Sequence, residues 1–318
     1  MSNRAQRRRQ DKSAPQQTEK KSKYSGVTHF FDTYYKVLLI IPLVILLLSF
    51  GQLAYQYSTT GDILIKGISL SGGISITLEK DLPIPFSEFK AEMSSALPSQ
   101  EVSVRELTNL GVPVGVIIES TAFEQEERVE LRAAIEGILG PIADNEYTEE
   151  VIGPALGEQF FQQIFRALIM AFVFMGVVVF IYFRKFLPGF SVMLSTFADI
   201  VITLAIVNLL GIRLSTAGIA AFLMLIGYSV DSDLLLSTKM MKESGPYIER
   251  FMSAFKTGFT MVVTTLGAVT VAYILTDSDV IRQIMLIILI GLLVDMVTTW
   301  IQNAAMMRMY LERKDGKA

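Results

Sequence analysis

Four carboxylates lie within the long hydrophobic stretches of this 318-residue chain: Asp199, Asp231, Asp233 and Asp295. Burying an ionised Asp in hydrocarbon costs at least about 2.5 to 3.5 kcal/mol, so acids at such positions usually face a bundle interior and mark a path for ions or protons. The chain has no Cys and one His, His29. The acids are therefore the groups available for moving a proton or a cation, and thiolate metal sites are excluded.

The composition indicates that membrane helices position these acids. Hydrophobic residues make up 51% of the chain, and its mean hydropathy is +0.46. A spanning helix needs roughly 20 mostly apolar residues, and six runs meet this requirement: 37–55, 161–183, 190–211, 215–238, 251–275 and 281–305. The sequence predicts an α-helical polytopic membrane protein with six transmembrane helices, called spans one to six. The first run is too long for a cleaved signal peptide, so it is predicted to be an uncleaved anchor.

The distribution of basic residues predicts the orientation in the membrane. Residues 1–36 hold nine Lys or Arg against three acids, and further basic residues follow spans two, four and six. The short loops on the other side carry only Arg213 and Arg282. By the positive-inside rule both termini are expected in the cytoplasm of a multi-pass protein of the cell membrane. Residues 1–36 are predicted to be a basic tail able to touch membrane lipid, and 306–318 a second tail.

Residues 58–160 follow span one and are predicted to form an extracytoplasmic domain. They carry six Lys or Arg and eighteen acids, a local charge of −12, which would repel phosphate and argues against nucleic acid as a partner. Strand-like patterns cover 74–80, 102–107, 114–119 and 146–152, and helical patterns cover 85–97 and 124–139. The order β-α-β-β-α-β predicts an α+β ferredoxin-like domain between spans one and two.

Polar residues recur at helical spacing in three of the predicted spans. Span three carries Ser191, Ser195, Asp199 and Thr203; span six carries Asp295, Thr298, Thr299 and Gln302; span five carries Thr257, Thr260 and Thr264. Each set forms one stripe along its helix. Because polar stripes in lipid are expected to face one another, the sequence predicts that these three spans meet along them.

Span four carries two of the acids. Asp231 and Asp233 are two residues apart, so they point to opposite sides of a helix, about 200° apart. Asp231 lies about 12 Å along the axis from Lys239 at the cytoplasmic end, a depth at which it is expected to meet Asp199. The basic side chain expected nearest to the acids is Lys256 in span five, and Gly227 is expected to permit close helix packing.

Two interpretations of the acids remain open. In the first, they exchange a coupling ion, H⁺ or Na⁺, between the two sides of the membrane. In the second, they stay protonated and hydrogen-bond to Ser or Thr, which only locks the helix packing. The residue types do not distinguish H⁺ from Na⁺. No nucleotide-binding loop or catalytic triad is present, so the protein is not expected to be an enzyme or to bind an organic cofactor.

Four segments resemble the SecF family of protein-export membrane proteins, within the SecD/SecF group of the resistance-nodulation-division transporter superfamily. They are 67–73, 152–157, 226–233 and 256–265, of which 226–233 is the most specific. The resemblance implies structural roles for Gly67, Gly72, Gly73, Gly153, Pro154, Gly157 and Gly227. It also implies that span four carries a proton-coupling Asp. Together with the acids and the basic residue found in or beside the spans, the candidate relay residues are Asp231, Asp233, Asp199, Asp295 and Lys256.

The chain departs from the common pattern of this family in two places. Ser69 stands where the first segment usually has Asp, and Asp231-Ser-Asp233 replaces the Asn-Asp of bacterial members. This variant pattern resembles the archaeal branch. It leaves open which of Asp231 or Asp233 couples to the ion, and whether Lys256 is the relay partner.

The resemblance implies partners and an energy source. It implies a SecD-like subunit that supplies a related six-span half, the Sec translocon channel, and an unfolded preprotein moved with the help of the proton motive force. Two alternatives stay open at this point. One is a half of a small-molecule efflux transporter of the same superfamily, and the other is a non-transporting scaffold for the translocon.

Overall fold

The computed structural model describes residues 34–80, 82–98, 100, 102–109, 112–142, 147–242, 246–276 and 278–316. His29 and nearly all of the basic tail predicted for 1–36 lie outside these residues. Within the described residues, six helices are long and apolar enough to cross a membrane: Tyr34–Thr60, Pro154–Phe183, Phe186–Leu209, Thr216–Lys242, Tyr247–Leu275 and Asp279–Lys314. These are spans one to six, and they make the chain a mostly helical, multi-pass membrane protein.

The start of span two and the end of span six differ most from the sequence-based bounds. Span two begins at Pro154 rather than at 161, because proline suits the first position of a helix, where its missing N–H costs nothing. Span six continues beyond 305 through the helical segment Ala304–Asp315, so most of the tail predicted for 306–318 is helix. Met307 and Leu311 are buried in a cluster with Tyr35, and burial of these apolar side chains extends the helix.

The domain between spans one and two has the element order β-α-β-β-α-β. Its elements are β1 (Gly73–Leu78), α1 (Phe86–Ala96), β2 (Val102–Asn109), β3 (Val112–Ser120), α2 (Gln125–Leu139) and β4 (Tyr147–Ile152). The strands form one antiparallel sheet in the order β2-β3-β1-β4. At the centre, Ile76 of β1 pairs with Ile118 of β3 and with Glu149 of β4.

The core of this domain follows from the alternation of its strands. Ile74, Ile76 and Leu78 point to one face of β1 and are almost fully buried there. The two helices cover that face, with Phe89 of α1 and Leu131 of α2 in the same apolar cluster. A capping box between Glu124 and Glu127 begins α2 by satisfying its first backbone N–H groups.

Two of the glycine motifs pack against each other where the domain joins the membrane helices. Gly72 has a φ of +83°, and a Cβ there would lie 2.5 Å from Pro154 Cα. A Cβ on Gly157 would lie 2.6 Å from Gly72 N. Since only glycine allows this backbone approach, the segments 67–73 and 152–157 form one compact joint between the exit of span one and the start of span two.

The spans differ in how much of each is covered by the rest of the chain. The apolar windows of spans three, four and six are 61%, 56% and 50% buried, whereas those of spans two and five are 11% and 17% buried. Spans three, four and six therefore form the centre of the bundle. The functional candidates on these three helices are the ones that the fold can bring together.

A buried carboxylate cluster between spans three, four and six

Three of the four predicted acids converge at the centre of the bundle. Asp199 of span three and Asp233 of span four are fully buried, and Asp295 of span six is 1% exposed. Each is surrounded by hydroxyl and amide side chains from a neighbouring span. The stripes of spans three and six thus come together as the sequence predicted, with one face of span four between them.

Asp199 joins all three helices. Its Oδ2 accepts a hydrogen bond from the Ser229 hydroxyl of span four, and its Oδ1 accepts one from the Thr298 hydroxyl of span six. Ser229 Oγ also lies 3.3 Å from Thr196 Oγ1 of span three. Both carboxylate oxygens of Asp199 therefore have a donor.

Asp295 contacts span four and its own helix. Ser232 Oγ lies 3.0 Å from Asp295 Oδ1 and 2.9 Å from Asp295 Oδ2. Thr299 Oγ1 lies 2.9 Å from Asp295 Oδ1. The same Thr299 oxygen lies 2.9 Å from Oδ1 of Asp233, so one hydroxyl touches both carboxyl groups.

Asp233 is held by Asn303 of span six as well as by Thr299. Asn303 Nδ2 donates to Asp233 Oδ1 over 2.7 Å and lies 3.4 Å from Ser237 Oγ. The Ser191 hydroxyl of span three donates to Asn303 Oδ1. One amide therefore ties spans three, four and six together beside the carboxyl groups.

The residues of span six that hold the acids lie in a π-helical segment, Thr298–Asn303. A π-helix accommodates an extra residue within the α-helical ladder and occurs frequently at functional sites. Four of its members, Thr298, Thr299, Gln302 and Asn303, are fully buried on the side of the acids. Nothing in the sequence of this segment, which has no Pro or Gly, predicts the π geometry.

The cluster holds acids without cations. Among the described residues, no Lys, Arg or His forms an ion pair with Asp199, Asp233 or Asp295. No group of three or more Asp, Glu, His or Cys in the described part of the chain is arranged to hold a metal ion. The site consists of carboxyl, hydroxyl and amide groups in the buried centre of the bundle, a composition that can bind a proton or another small cation.

Several buried polar atoms around the cluster are unsatisfied within the part of the chain that the structure describes. They are Asp233 Oδ2, Ser195 Oγ, Thr203 Oγ1 and both amide atoms of Gln302. Unpaired buried polar groups are costly and are retained where they serve a function or meet water. Ser195 and Thr203 lie on the same stripe of span three as Asp199, and Gln302 lies on the stripe of span six that carries Asp295.

The expectation that Asp231 meets Asp199 is wrong. Asp231 is exposed on the outer side of span four, and Ser229 occupies the place beside Asp199. The buried face of span four is set by Ser229, Ser232 and Asp233, which follow one another at helical spacing. Asp231 lies about 200° from Asp233 around the axis and is turned away from the cluster. Asp231 has no hydrogen-bond or ion-pair partner among the described residues.

The polar stripe of span five does not face the other two, contrary to prediction. Thr260 and Thr264 are exposed, and each donates its hydroxyl to a carbonyl of its own helix, which satisfies it without a partner helix. Span five instead packs through another face, which includes Phe251, Gly258 and Val262.

Lys256 is also exposed and takes no part in the cluster, where the sequence placed it as the nearest basic residue. Two other basic residues link spans four and five. Lys239 Nζ lies 2.9 Å from Thr257 Oγ1 and 3.1 Å from Ser253 Oγ, and Arg250 donates to Met240 O over 2.7 Å. Lys239 belongs to the last turn of span four.

Gly227 does not pack closely within this chain. No described atom other than its own helix lies within 4 Å of a Cβ built on it. The structure therefore gives no packing reason for glycine at this position. Sequence analysis also missed Ser229, Ser232, Ser237 and Asn303 as members of the cluster. Ser229 and Ser237 lie four residues from Asp233, and Asn303 lies four residues from Thr299, so their helical spacing was a usable signal.

Known proteins resemble this chain over most of its length. A family model described as protein export membrane protein SecD/SecF, C-terminal, matches residues 139–313. The chain is 36% identical over 286 residues to the protein-export membrane protein SecF of Pyrococcus furiosus, covering 89% of this chain and 93% of that protein. It is 31% identical over 290 residues to the SecF of Methanocaldococcus jannaschii, covering 89% of this chain and 98% of that protein.

Solved structures show a similar fold. The crystal structure of SecDF, a translocon-associated membrane protein from Thermus thermophilus, superposes with a TM-score of 0.67 at 20% identity over 88% of this chain. SecDF in its super-membrane-facing form gives a TM-score of 0.56 at 18% identity. This chain spans 38% and 39% of the length of those two proteins, respectively.

Proposed function

Since the chain belongs to the SecF family of protein-export membrane proteins, we propose that it is an accessory subunit of Sec-dependent protein export that uses the proton motive force. The buried cluster of Asp199, Asp233 and Asp295 is the coupling site in this proposal. It would bind protons from one side of the membrane and release them to the other. The work would be done beside the Sec translocon channel, on an unfolded preprotein.

The observation that carries the proposal is the burial of three carboxyl groups among hydroxyls and an amide, with no cation paired to them in the described residues. A set of acids that served only to lock the helices could be replaced by apolar packing at lower cost, because buried charges lose their hydration. Carboxyl groups on three different helices also link protonation to helix packing. A change in their charge therefore alters contacts among spans three, four and six together.

The outer domain is the part that would act on the preprotein. Its element order and its antiparallel sheet order β2-β3-β1-β4 support a ferredoxin-like domain. It is joined to the membrane helices through the close contact of Gly72 with Pro154 and through Gly67, whose N–H donates to Leu214 O over 2.8 Å. Movement in the membrane helices would thus be transmitted to the domain. In this topology both termini are in the cytoplasm and the domain faces outside the cell membrane.

A SecD-like subunit is the proposed partner within the membrane. The exposed face of span two consists of large apolar side chains suited to lipid: Phe165, Ile169, Met170, Val173, Phe174, Val177, Val178 and Ile181. The exposed face of span four differs, because it presents Ala220, Gly227 and Asp231 at helical spacing. Small residues favour close helix contact, and an acid facing lipid is costly unless a partner covers it.

The length of the similar structures supports the same partner. This chain spans 38% of the SecDF chain of Thermus thermophilus, so a larger part of that protein has no counterpart here. We assign the face of span four, defined by Ala220, Met224, Gly227, Tyr228 and Asp231, as the surface that the SecD-like subunit covers. The partner would place a hydrogen-bond donor or a cation beside Asp231.

The test is export driven by an imposed proton gradient in vesicles that contain the chain with its SecD-like subunit. Asp233→Asn and Asp295→Asn are expected to abolish the part of the export rate that depends on the gradient. Glu249→Gln, which changes an exposed acid at the cytoplasmic end of span five, is the matched control and keeps the full rate. Full gradient-dependent export in both Asp variants would refute the coupling site and leave the scaffold interpretation.

A further inference from the structure

Thr299 has an arrangement that the coupling proposal does not by itself require. Its hydroxyl oxygen lies 2.9 Å from Asp233 Oδ1 and 2.9 Å from Asp295 Oδ1, so it stands between two carboxyl groups from different spans. Thr299 is fully buried. A hydroxyl has one proton to donate and can accept through its lone pairs, so it can donate to only one of the two acids at a time.

Asn303 stabilises Asp233 as the acid that accepts the proton of Thr299. Its Nδ2 lies 2.7 Å from Asp233 Oδ1, and an amide nitrogen can only donate. Asp233 Oδ1 is therefore an acceptor, and an ionised Asp233 accepts from both Asn303 and Thr299. The Thr299 oxygen is then left to accept from Asp295, which must carry a proton on Oδ1 to make that contact.

On these grounds we propose that Thr299 is a proton relay between Asp295 and Asp233, and that Asn303 is a positioning residue that stabilises ionised Asp233. The inference rests on the coupling function proposed above and names the step within it. Neither residue carries out chemistry in isolation, because Thr299 acts between the two carboxyl groups and Asn303 acts on Asp233.

The relay step is balanced in protons. The Asp295 Oδ1–H bond breaks and its proton passes to Thr299 Oγ1, while the original Thr299 O–H proton passes to Asp233 Oδ1. Asp295 becomes ionised, Asp233 becomes neutral, and Thr299 regains its hydroxyl. One proton has moved from span six to span four without either carboxyl group changing place.

The charged groups around the pair are few. Asp199 of span three faces both acids, and it has its own donors in Ser229 and Thr298. On span four, Asp231 lies on the opposite side and Lys239 bonds to span five. Spans one, two and five bring no ionisable side chain into hydrogen-bond contact with Asp233 or Asp295 in the described ranges. The relay is therefore governed by the three acids themselves.

The decisive variants are Thr299→Val and Thr299→Ser in the complex with the SecD-like subunit. Valine keeps the shape of Thr299 and removes the hydroxyl, whereas serine keeps the hydroxyl and removes a methyl group. If Thr299 is a relay, Thr299→Val lowers the rate of gradient-dependent export at least about tenfold, whereas Thr299→Ser keeps most of the native rate. A purely structural role predicts the reverse, since valine fills the buried space and serine leaves a small cavity.

Thr270→Val, at an exposed position of span five, is the matched control and is expected to leave export unchanged. Equal loss in Thr299→Val and Thr299→Ser, or full activity in Thr299→Val, would overturn the relay. If Asp233→Asn and Asp295→Asn lose gradient-dependent export while Thr299→Val keeps it, the relay is refuted and the coupling site stands. Full activity in both Asp variants would refute the coupling function itself.

Asn303→Leu provides the second measurement. Leucine cannot donate to Asp233, so we expect the pH dependence of gradient-driven export to shift relative to the native chain. The carbonyl-stretch band of protonated carboxyl groups in the infrared spectrum should change with it. An Asn303→Leu chain that assembles with the SecD-like subunit and keeps the native pH profile would overturn the positioning role.

Discussion

Asp231 and Asp233 stand two residues apart on span four and have opposite surroundings. Asp233 is fully buried, with Asn303 and Thr299 as donors to its Oδ1, while Asp231 is exposed on the outer side of the helix. The two acids of this motif therefore face two different environments. One acid belongs to the cluster inside the chain, and the other belongs to a surface that the chain does not cover.

This difference predicts unequal effects of removing the two acids on stability. In Asp233→Leu, the buried donors of Asn303 and Thr299 lose their acceptor, which costs roughly 1 to 3 kcal/mol or more. In Asp231→Leu, no contact within the described chain is lost, so the free energy of unfolding should change by about 0.5 kcal/mol or less. Thermal unfolding of the purified chain in detergent measures both, and equal losses would contradict the assignment of the two faces.

The face of span four can be mapped by cross-linking, because the chain contains no Cys. A thiol-reactive photo-cross-linker would be attached to Gly227→Cys and, as the matched control, to Val173→Cys on the apolar face of span two. We expect the Gly227→Cys chain to cross-link to the SecD-like subunit and the Val173→Cys chain to react only with lipid.

The opposite result, a cross-link from Val173→Cys and none from Gly227→Cys, would place the partner on span two. Copurification of the SecD-like subunit with the native chain is measured in parallel. If the subunit copurifies but does not cross-link to Gly227→Cys, the proposed surface is wrong and the proposed partner stands. If the subunit does not copurify at all, the partner proposal itself fails.

The glycine joint between the outer domain and the membrane helices predicts a strong effect of a small change. Gly72→Ala would place a Cβ 2.5 Å from Pro154 Cα, at a φ of +83°, so both the contact and the backbone conformation become strained. We expect a loss of roughly 2 kcal/mol or more, or failure to accumulate in the membrane. Unfolding of the purified chain and its level in the membrane measure this.

Gly137→Ala is the control for that substitution. Gly137 lies within α2, and no described atom outside its own helix is within 4 Å of a Cβ built there. Because alanine has the higher helix propensity, this variant should be stabilised by up to about 1 kcal/mol. A Gly72→Ala chain as stable as the native chain would show that the joint adapts, and it would weaken the transmission proposed for it.

In the outer domain, folding changes the pKa of Glu149. The hydrogen bond from the Tyr147 hydroxyl, followed by the contacts with Arg128, lowers the pKa of Glu149 below its usual value against the opposing effect of burial. Burial and the hydrogen bond to Glu149 raise the pKa of Tyr147 to about 12. A depressed carboxyl pKa stabilises the fold above the unfolded value of about 4.3, and this stabilisation is lost as the pH falls through the folded value.

Tyr147→Phe therefore has a pH-dependent effect on stability. Near pH 7 we expect a loss of roughly 1 kcal/mol, because the partly exposed ion pair with Arg128 remains and is screened by solvent. The difference between the native and variant chains should shrink as the pH falls below about 4, where Glu149 is protonated in both. Thermal unfolding of the full chain across this pH range checks it, and a difference that is constant with pH would contradict the linkage.

Much of the architecture depends on local features of the sequence and could be predicted. The length of each apolar run predicts six spans, since a helix must be long enough to cross the hydrocarbon. The two-residue spacing of Asp231 and Asp233 predicts that they face different ways. The alternation of Ile74, Ile76 and Leu78 likewise predicts a strand with one buried face.

The partners of each acid could not be predicted, because they depend on how every helix is rotated about its axis. A polar stripe shows which residues share a face but not what the face meets. The stripe of span five is turned outward, because Phe251, Gly258 and Val262 pack on the opposite side. The π-helical segment Thr298–Asn303 is a further tertiary feature, since it brings Asn303 and Thr299 onto the same carboxylate.

The sequence by itself determined that acids are embedded in membrane helices and that a mixed α and β domain stands between the first two. It did so because hydrophobic length and side-chain periodicity are properties of single segments. Only the tertiary structure decided that Asp199, Asp233 and Asp295 meet while Asp231 and Lys256 do not. Contacts between helices are set by the packing of all the spans at once, and no single segment contains that information.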